Sequence, residues 1–238
     1  MKTSPPTATS AQLAALAAFD TPTICNALEI VLPESRARGY TTRPAVCGFP
    51  ALKPIVGFAR TARIRAKSPP SLAPADVRRL RHDYYRYVDT GPKPSLILIQ
   101  DLDGEDAGYG AFWGEVQSAI HKGLGALGVI TDGSVRDIDA WAPGFQFLAA
   151  TIGPSHAYAH VVDFGSEIEV FGMRVRSGDI VHADRHGAVV IPSGAIAELR
   201  DAVEKIARRE AAILAVARAP DCTAEKLIDV FSEQDAIH

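Results

Sequence analysis

The chain has 238 residues, 47 % of them hydrophobic and 22 % charged, with a formal net charge of -3; this fits one domain with a sizeable core. The weak negative balance lacks the basic stripe of nucleic-acid-binding surfaces, so no nucleic-acid partner is expected. Three scattered cysteines (Cys25, Cys47 and Cys222) argue against a disulfide framework or thiolate zinc site, and no apolar run reaches the roughly 18 residues of a membrane span, so a cytoplasmic protein with no membrane partner is expected.

Residues 1–10 hold Pro, Thr and Ser but no apolar stretch of signal-peptide length, and read as a flexible arm before a single domain over 11–238. Helical patterning begins at Ala11, and Thr21 with Pro22 reads as the N-cap and first-turn proline of a second helix. Residues 33–54, punctuated by Pro and Gly, read as surface chain, and residues 55–64 as a strand. After a loop over 67–73, residues 74–88 read as a helix with several Arg on its outer face. Residues 95–99 form a short apolar run typical of a buried strand, and the acidic stretch 101–106 reads as a solvated turn. A helix over 114–122, closed by Gly123, leads to a strand over 127–131 that ends in a glycine turn at Gly133. Short strands are expected over 145–152, 168–175, 179–182 and 188–191. The last 45 residues read as helical, with Ile196, Leu199, Val203, Ile206, Ile213 and Leu214 on one stripe. Strand–helix units followed by a β-rich segment specify one compact α/β domain.

Gly123, Gly125 and Gly128 match G-x-G-x-x-G, but a dinucleotide fingerprint follows a strand and opens a helix. Here a helix precedes and a strand follows, which assigns the glycines to a helix cap and a tight turn. His156 and His160 are four apart in a segment that favours strand or loop, and no zincin-type Glu accompanies them, so a metal role is the lesser reading. The stretch 101–106 has the composition of a calcium loop without its residue order. Arg136 and Asp137 follow a buried strand, at the end where open α/β folds place ligands. They form either a functional pair or a loop ion pair, and the two residues alone leave both open.

The wider pattern is more specific. Glu115, twenty residues, then Arg136 and Asp137 give E-x20-R-D, embedded in the run from Gly128 to Asp137. This resembles the class II pyruvate aldolases that split 4-hydroxy-4-methyl-2-oxoglutarate or 4-carboxy-4-hydroxy-2-oxoadipate, a family that includes the RraA proteins, named as regulators of ribonuclease activity. Residues 57–61, 178–184 and 187–192 are also similar, so the resemblance covers roughly 11–215, while 67–94 stands outside the recognised pattern. It implies a layered α/β/β sandwich around a small β-barrel, with flanking N- and C-terminal helices, assembled as a homotrimer or homohexamer with its site at a subunit interface. It further implies that Asp137 ligates a divalent metal, Mg²⁺ or Mn²⁺. Glu115, where Asp is commoner in the aldolases, would hold metal-bound waters or carry a proton. Arg136 would bind the substrate keto oxygen, the Val116 and Gln117 N–H groups its carboxylate, and Glu210 is the candidate for an acidic group from a neighbouring subunit.

The implied activity is retro-aldol cleavage of a small 4-hydroxy-2-oxo acid, with oxaloacetate decarboxylation as a side activity, since both yield pyruvate enolate. A divalent ion and a fixed guanidinium suit the growing enolate charge, and no Lys stands in the motif to form a Schiff base. The alternative is a non-catalytic RraA-like regulator that binds a ribonuclease; a nucleotide-dependent enzyme ranks last.

Overall fold

The computed structural model describes residues 8–235, so residues 1–7 of the expected arm lie outside the described residues. Its remainder is tied down. Ala8 is buried and Thr9 forms a capping box with Gln12, which starts helix α1 (Ser10–Leu16). Helix α2 (Thr21–Val31) is capped by Asp20, not Thr21: the Asp20 carboxylate accepts from the Thr23 N–H at 2.9 Å, and the Thr21 hydroxyl meets His182 instead.

The remaining elements are β1 (Val46–Cys47), β2 (Ile55–Arg65), α3 (Pro74–Asp89), β3 (Ser95–Asp101), β4 (Ala111–Trp113), α4 (Glu115–Gly123), β5 (Ala126–Val135), β6 (Gln146–Ile152), β7 (His160–Phe164), β8 (Ile168–Val170), β9 (Met173–Val175), β10 (Ile180–Asp184), β11 (Gly187–Ile191), α5 (Ile196–Ala217) and α6 (Ala224–Asp235). One mixed sheet runs β1-β6-β5-β3-β2-β10-β11, with β4 added beside β5 and β7 beside β2. Strands β2, β3, β5 and β6 are parallel neighbours, and α3 and α4 make the crossovers.

Alternation along the strands sorts the side chains into layers. Val56, Phe58, Ala62 and Ile64 of β2 face the helices, whereas Ile55 and Ala59 face the other way. On the helical face α1, α2 and α5 cover β10 and β11, and α3 packs over the β2–β7 end. The opposite face buries Leu96, Leu98 and Ile130 against Val170 and Met173 of the β8–β9 hairpin. Burial on both faces explains why β3 is an unbroken apolar run rather than an alternating one. The result is the layered α/β/β arrangement expected from the resemblance, a single mixed α/β domain with a curled half-barrel sheet and flanking helices. Among the described residues no single helix is long and apolar enough to cross a membrane.

Several local expectations are corrected. Gly133 makes no turn: β5 continues to Val135 through a bulge, its register against β6 shifting between Thr131 and Ser134. Helix α4 ends at Gly123 as expected, but the left-handed residue that closes it is Gly125, with φ of 82°. The expected strand 168–175 is two strands, reversed at Phe171 and Gly172 with φ of 50° and 83°. The acidic stretch is not merely solvated: the Asp103 carboxylate accepts from the Ala66 and Lys67 N–H groups at 2.6 and 2.8 Å and pairs with Arg65. The C-terminal helical region breaks over 218–223, and only the first half of its stripe, Ile196, Leu199 and Val203, is fully buried.

Candidate active site

The E-x20-R-D spacing closes a single α–β unit. Glu115 is the first residue of α4, the chain returns along β5, and Arg136 leaves the strand beside β4, where Trp113 pairs with Val135. The Arg136 N–H donates to the Trp113 carbonyl at 2.9 Å, which locks the start of α4 against the end of β5. Asp137 then adopts a left-handed conformation, φ 55° and ψ 41°, one that Asp tolerates better than most residues.

Gly114 explains how the two strands of chain come so close. It is the N-cap of α4 and has no side chain to accept from the helix's first N–H groups. A Cβ built on it would collide with the Asp137 Oδ2 atom. The Asp137 carboxylate therefore occupies the space of the missing cap, at the positive end of the helix dipole. Arg136 Nε lies 3.5 Å from Asp137 Oδ2, and the two side chains are 36 % and 39 % exposed, so this is a loose pair open to a ligand rather than a buried ion pair.

A cavity of about 250 Å³ opens over this pair, with Gly114, Val116 and Gln117 in its wall. Glu115 is exposed at the head of α4 and does not line it. Glu210 lies on α5, in a separate groove with Asn26 and Arg36. Among the described residues no three His, Cys, Asp or Glu side chains converge. That donor set does not suit a dedicated zinc or calcium cage, but one accessible carboxylate fits a hard ion that keeps most of its waters, Mg²⁺ or Mn²⁺.

The rest of the cavity wall comes from residues the motif does not contain. Val77 and Arg81 of α3 line it, as do His156 from the loop before β7 and His160, the first residue of β7. Arg81, like the other arginines of α3, is exposed, and its spacing from Val77, Tyr84 and Val88 puts it on the stripe that borders the cavity. The His156 Nδ1 lies 2.7 Å from the Ala157 carbonyl and the His160 Nδ1 2.7 Å from that of Tyr158. Each Nδ1 is thereby the N–H donor, which leaves Nε2 free for a ligand.

Helix α3 is bolted to α4 below Arg81. The Tyr84 hydroxyl donates to His121 Nε2 at 2.8 Å, His121 Nδ1 donates to the Gln117 carbonyl at 2.7 Å, and the Tyr85 hydroxyl bonds the Gln117 side chain. Burial pushes the His121 imidazole down to about 4 and the Tyr84 phenol well up, so the pair is neutral. Residues 67–94, outside the recognised pattern, therefore hold the first turn of α4 in place. Away from the cavity, burial pushes the Asp132 carboxyl up to about 6, beside the Asp101 N–H that it accepts at 2.7 Å.

A family model described as RraA-like, Aldolase/RraA, matches residues 21–190. The uncharacterized protein MJ0644 of Methanocaldococcus jannaschii is 29 % identical over 116 residues, 48 % of this chain and 56 % of that protein. The chain thus spans about half the length of this curated relative. A solved structure described as that of novel cellulases from microbes associated with the gut ecosystem superposes with a TM-score of 0.69 at 17 % identity, covering 88 % of this chain and 90 % of that one. Streptomyces coelicolor RraAS2, described as an unusual member of the RNase ES inhibitor RraA protein family, gives 0.66 at 20 % identity, covering 85 % and 95 %. At these identities the two structural likenesses concern the fold alone.

Proposed function

The chain belongs to the RraA-like family, Aldolase/RraA, and from that premise we propose that it is a divalent-metal-dependent lyase acting in the cytoplasm. Its proposed substrate is a 4-hydroxy-2-oxo acid such as 4-hydroxy-4-methyl-2-oxoglutarate, cleaved to pyruvate, with oxaloacetate decarboxylation as a side activity. The observation that carries this reading is the Arg136–Asp137 pair, held in one cavity against the uncapped N-terminus of α4.

On this reading Asp137 would hold Mg²⁺ or Mn²⁺, and Glu115 would hold waters of the ion. When bound, the ion supplies Lewis-acid polarisation of the 2-oxo group. The free N–H groups of Val116 and Gln117 take the substrate's 1-carboxylate at the helix N-terminus. Glu115 is the proposed proton carrier: it takes the 4-hydroxyl proton, the O–H electrons form the carbonyl of the departing C4 product, and the C3–C4 bond electrons pass into the enolate. Arg136 donates to the 2-oxo oxygen, where charge is partial in the ketone and full in the enolate, so its contribution grows along the reaction. Reprotonation at C3 releases pyruvate. Glu210, contributed by a neighbouring copy in a proposed trimer or hexamer, is a further acidic group for the same site.

The test is pyruvate release from 4-hydroxy-4-methyl-2-oxoglutarate with Mg²⁺ or Mn²⁺, with and without EDTA. Turnover abolished by EDTA supports the lyase. No release with either ion favours a non-catalytic regulator that binds a ribonuclease, since the family covers RNase inhibitors as well as aldolases.

A further inference from the structure

The reaction proposed above leaves one proton without a source. The enolate must take a proton at C3, and Glu115, assigned to the 4-hydroxyl, is exposed and lies outside the cavity wall. Five ionisable side chains line the cavity: Arg81, Arg136, Asp137, His156 and His160. The two guanidiniums donate hydrogen bonds but do not give up a proton. On that reading Asp137 is committed to the ion. Two imidazoles remain, and imidazole is the side chain that both gives and takes a proton near neutral pH. His156 is exposed, in the loop before β7, next to Ala157 with its φ of 43°. His160 is half-buried and built into the sheet. As the first residue of β7 it pairs with Arg65 of β2, and three residues on the Asp163 carboxylate accepts from Arg63 Nε of the same strand at 2.9 Å. Phe164 then packs on Tyr84 and Tyr87 of α3. The His160 Nδ1 is held by the Tyr158 carbonyl at 2.7 Å, so Nε2 is the atom that can exchange a proton with a ligand. The cavity of about 250 Å³ has the volume of roughly eight waters, which puts its walls one small molecule apart.

We propose that His160 is the acid that protonates C3 of the pyruvate enolate, a catalytic role that rests on the lyase reading of the Arg136–Asp137 site. Once the C3–C4 bond has broken, the enolate oxygen lies against Arg136 and the electron pair is available at C3. The His160 imidazolium gives its Nε2 proton to that carbon. The C3–H bond forms from the enolate pair, the N–H pair stays on Nε2, and the oxygen returns to a ketone carbonyl. The neutral ring takes its next proton from water. In the reverse direction the neutral ring removes a methyl proton from bound pyruvate, so one group accounts for both product formation and methyl exchange. Carbon forms no hydrogen bond to its donor beforehand, so a donor fixed by a strand counts for more at this step than at an oxygen. The E-x20-R-D motif contains no such acid, which places this part of the chemistry on the wall that the motif does not supply.

The discriminating experiment separates bond cleavage from carbon protonation. Deuterium exchange into the pyruvate methyl group requires proton transfer at C3, whereas consumption of oxaloacetate requires only loss of carbon dioxide to leave the enolate. With Mg²⁺ or Mn²⁺ present, His160→Gln should slow methyl exchange by roughly 100-fold or more, the scale of a general acid. Oxaloacetate consumption should fall much less, because an enolate that escapes is protonated by water. Added imidazole should restore part of the exchange in His160→Ala, and His156→Gln should cost less than His160→Gln. Calorimetric affinity for Mn²⁺ should match that of the wild type in His160→Gln. An equal loss of exchange and decarboxylation makes His160 a packing residue, and a parallel loss of Mn²⁺ affinity makes it a ligand of the ion; either overturns the proposal, as does a larger loss in His156→Gln. Exchange at the wild-type rate in His160→Gln overturns it and leaves the lyase reading standing. Neither exchange nor decarboxylation in the wild type removes the lyase reading and this proposal with it.

Discussion

The floor of the cavity and its far wall are built in opposite ways. The floor comes from one contiguous helix–strand unit and depends on backbone: Gly114 permits the close approach, Asp137 sits in a left-handed conformation, and Val116 and Gln117 offer N–H groups. The far wall is made of side chains from α3 and from residues 156–160 at the start of β7; Tyr84 and Tyr87 of α3 pack on Phe164 of β7, and Tyr84 and Tyr85 tie α3 to α4. A floor fixed by backbone leaves little room for substitution, whereas side chains on the wall can change while the floor keeps its geometry. On the reading proposed above, the cleavage chemistry falls to the floor, and the wall is the part free to differ.

The largest expected effect is on the floor. Asp137→Asn should abolish metal-dependent pyruvate release while circular dichroism and thermal unfolding show an intact fold. Full activity in that variant would remove Asp137 from the site and with it the contrast between the two regions.

The link between wall and floor should break with a smaller effect. Tyr84→Phe leaves the buried His121 Nε2 without its donor, at a cost of about 1–3 kcal/mol in urea unfolding. The same pair makes the link acid-sensitive. The His121 imidazole is depressed to about 4 in the fold by burial, so the unfolded chain takes up its proton first. The stability contributed by neutral His121 is complete above its ordinary value of 6.5 and is lost as pH falls from there through about 4. Unfolding measured across that window should show a slope that weakens in His121→Gln.

Asp132 provides a control of opposite sign, because its carboxyl is raised to about 6 by burial. The folded chain keeps that proton longer, so this contribution is present at low pH and lost as pH rises from 3.8 through about 6. Asp132→Asn keeps an acceptor for the Asp101 N–H and removes the buried charge, so it should stabilise the protein at neutral pH by on the order of 2 kcal/mol. No gain in that variant would show that burial is not what raises Asp132.

The candidate residues of the floor came from the family resemblance carried by E-x20-R-D, because Arg136 and Asp137 alone left a loop ion pair open; local rules supplied their setting. Twenty residues between Glu115 and Arg136 are the length of a helix and a returning strand, and the order helix–turn–strand rightly separated Gly123, Gly125 and Gly128 from a dinucleotide fingerprint. Bulges and caps were harder. Gly133 reads equally well as a turn or as a bulge, and only its pairing with β6 decides. Asp20 and Thr21 are both good caps, and Thr21 is diverted by His182, far along the chain. The wall was out of reach for the same reason: nothing near Arg81 in sequence shows that its helix lies over Gln117, or that His156 and His160 arrive beside it.

The most direct measurement of the central claim follows deuterium exchange into the methyl group of pyruvate, which reports enolate formation at the floor without requiring the natural substrate. The wild-type protein with Mg²⁺ or Mn²⁺ should catalyse exchange that EDTA stops, and Arg136→Ala should slow it by roughly 100-fold or more, the scale of one lost oxyanion donor. Arg136→Lys should recover little of that rate, because the ammonium lacks the planar fork. Exchange that proceeds at the wild-type rate in Arg136→Ala would contradict the account and reduce Arg136 and Asp137 to a loop ion pair.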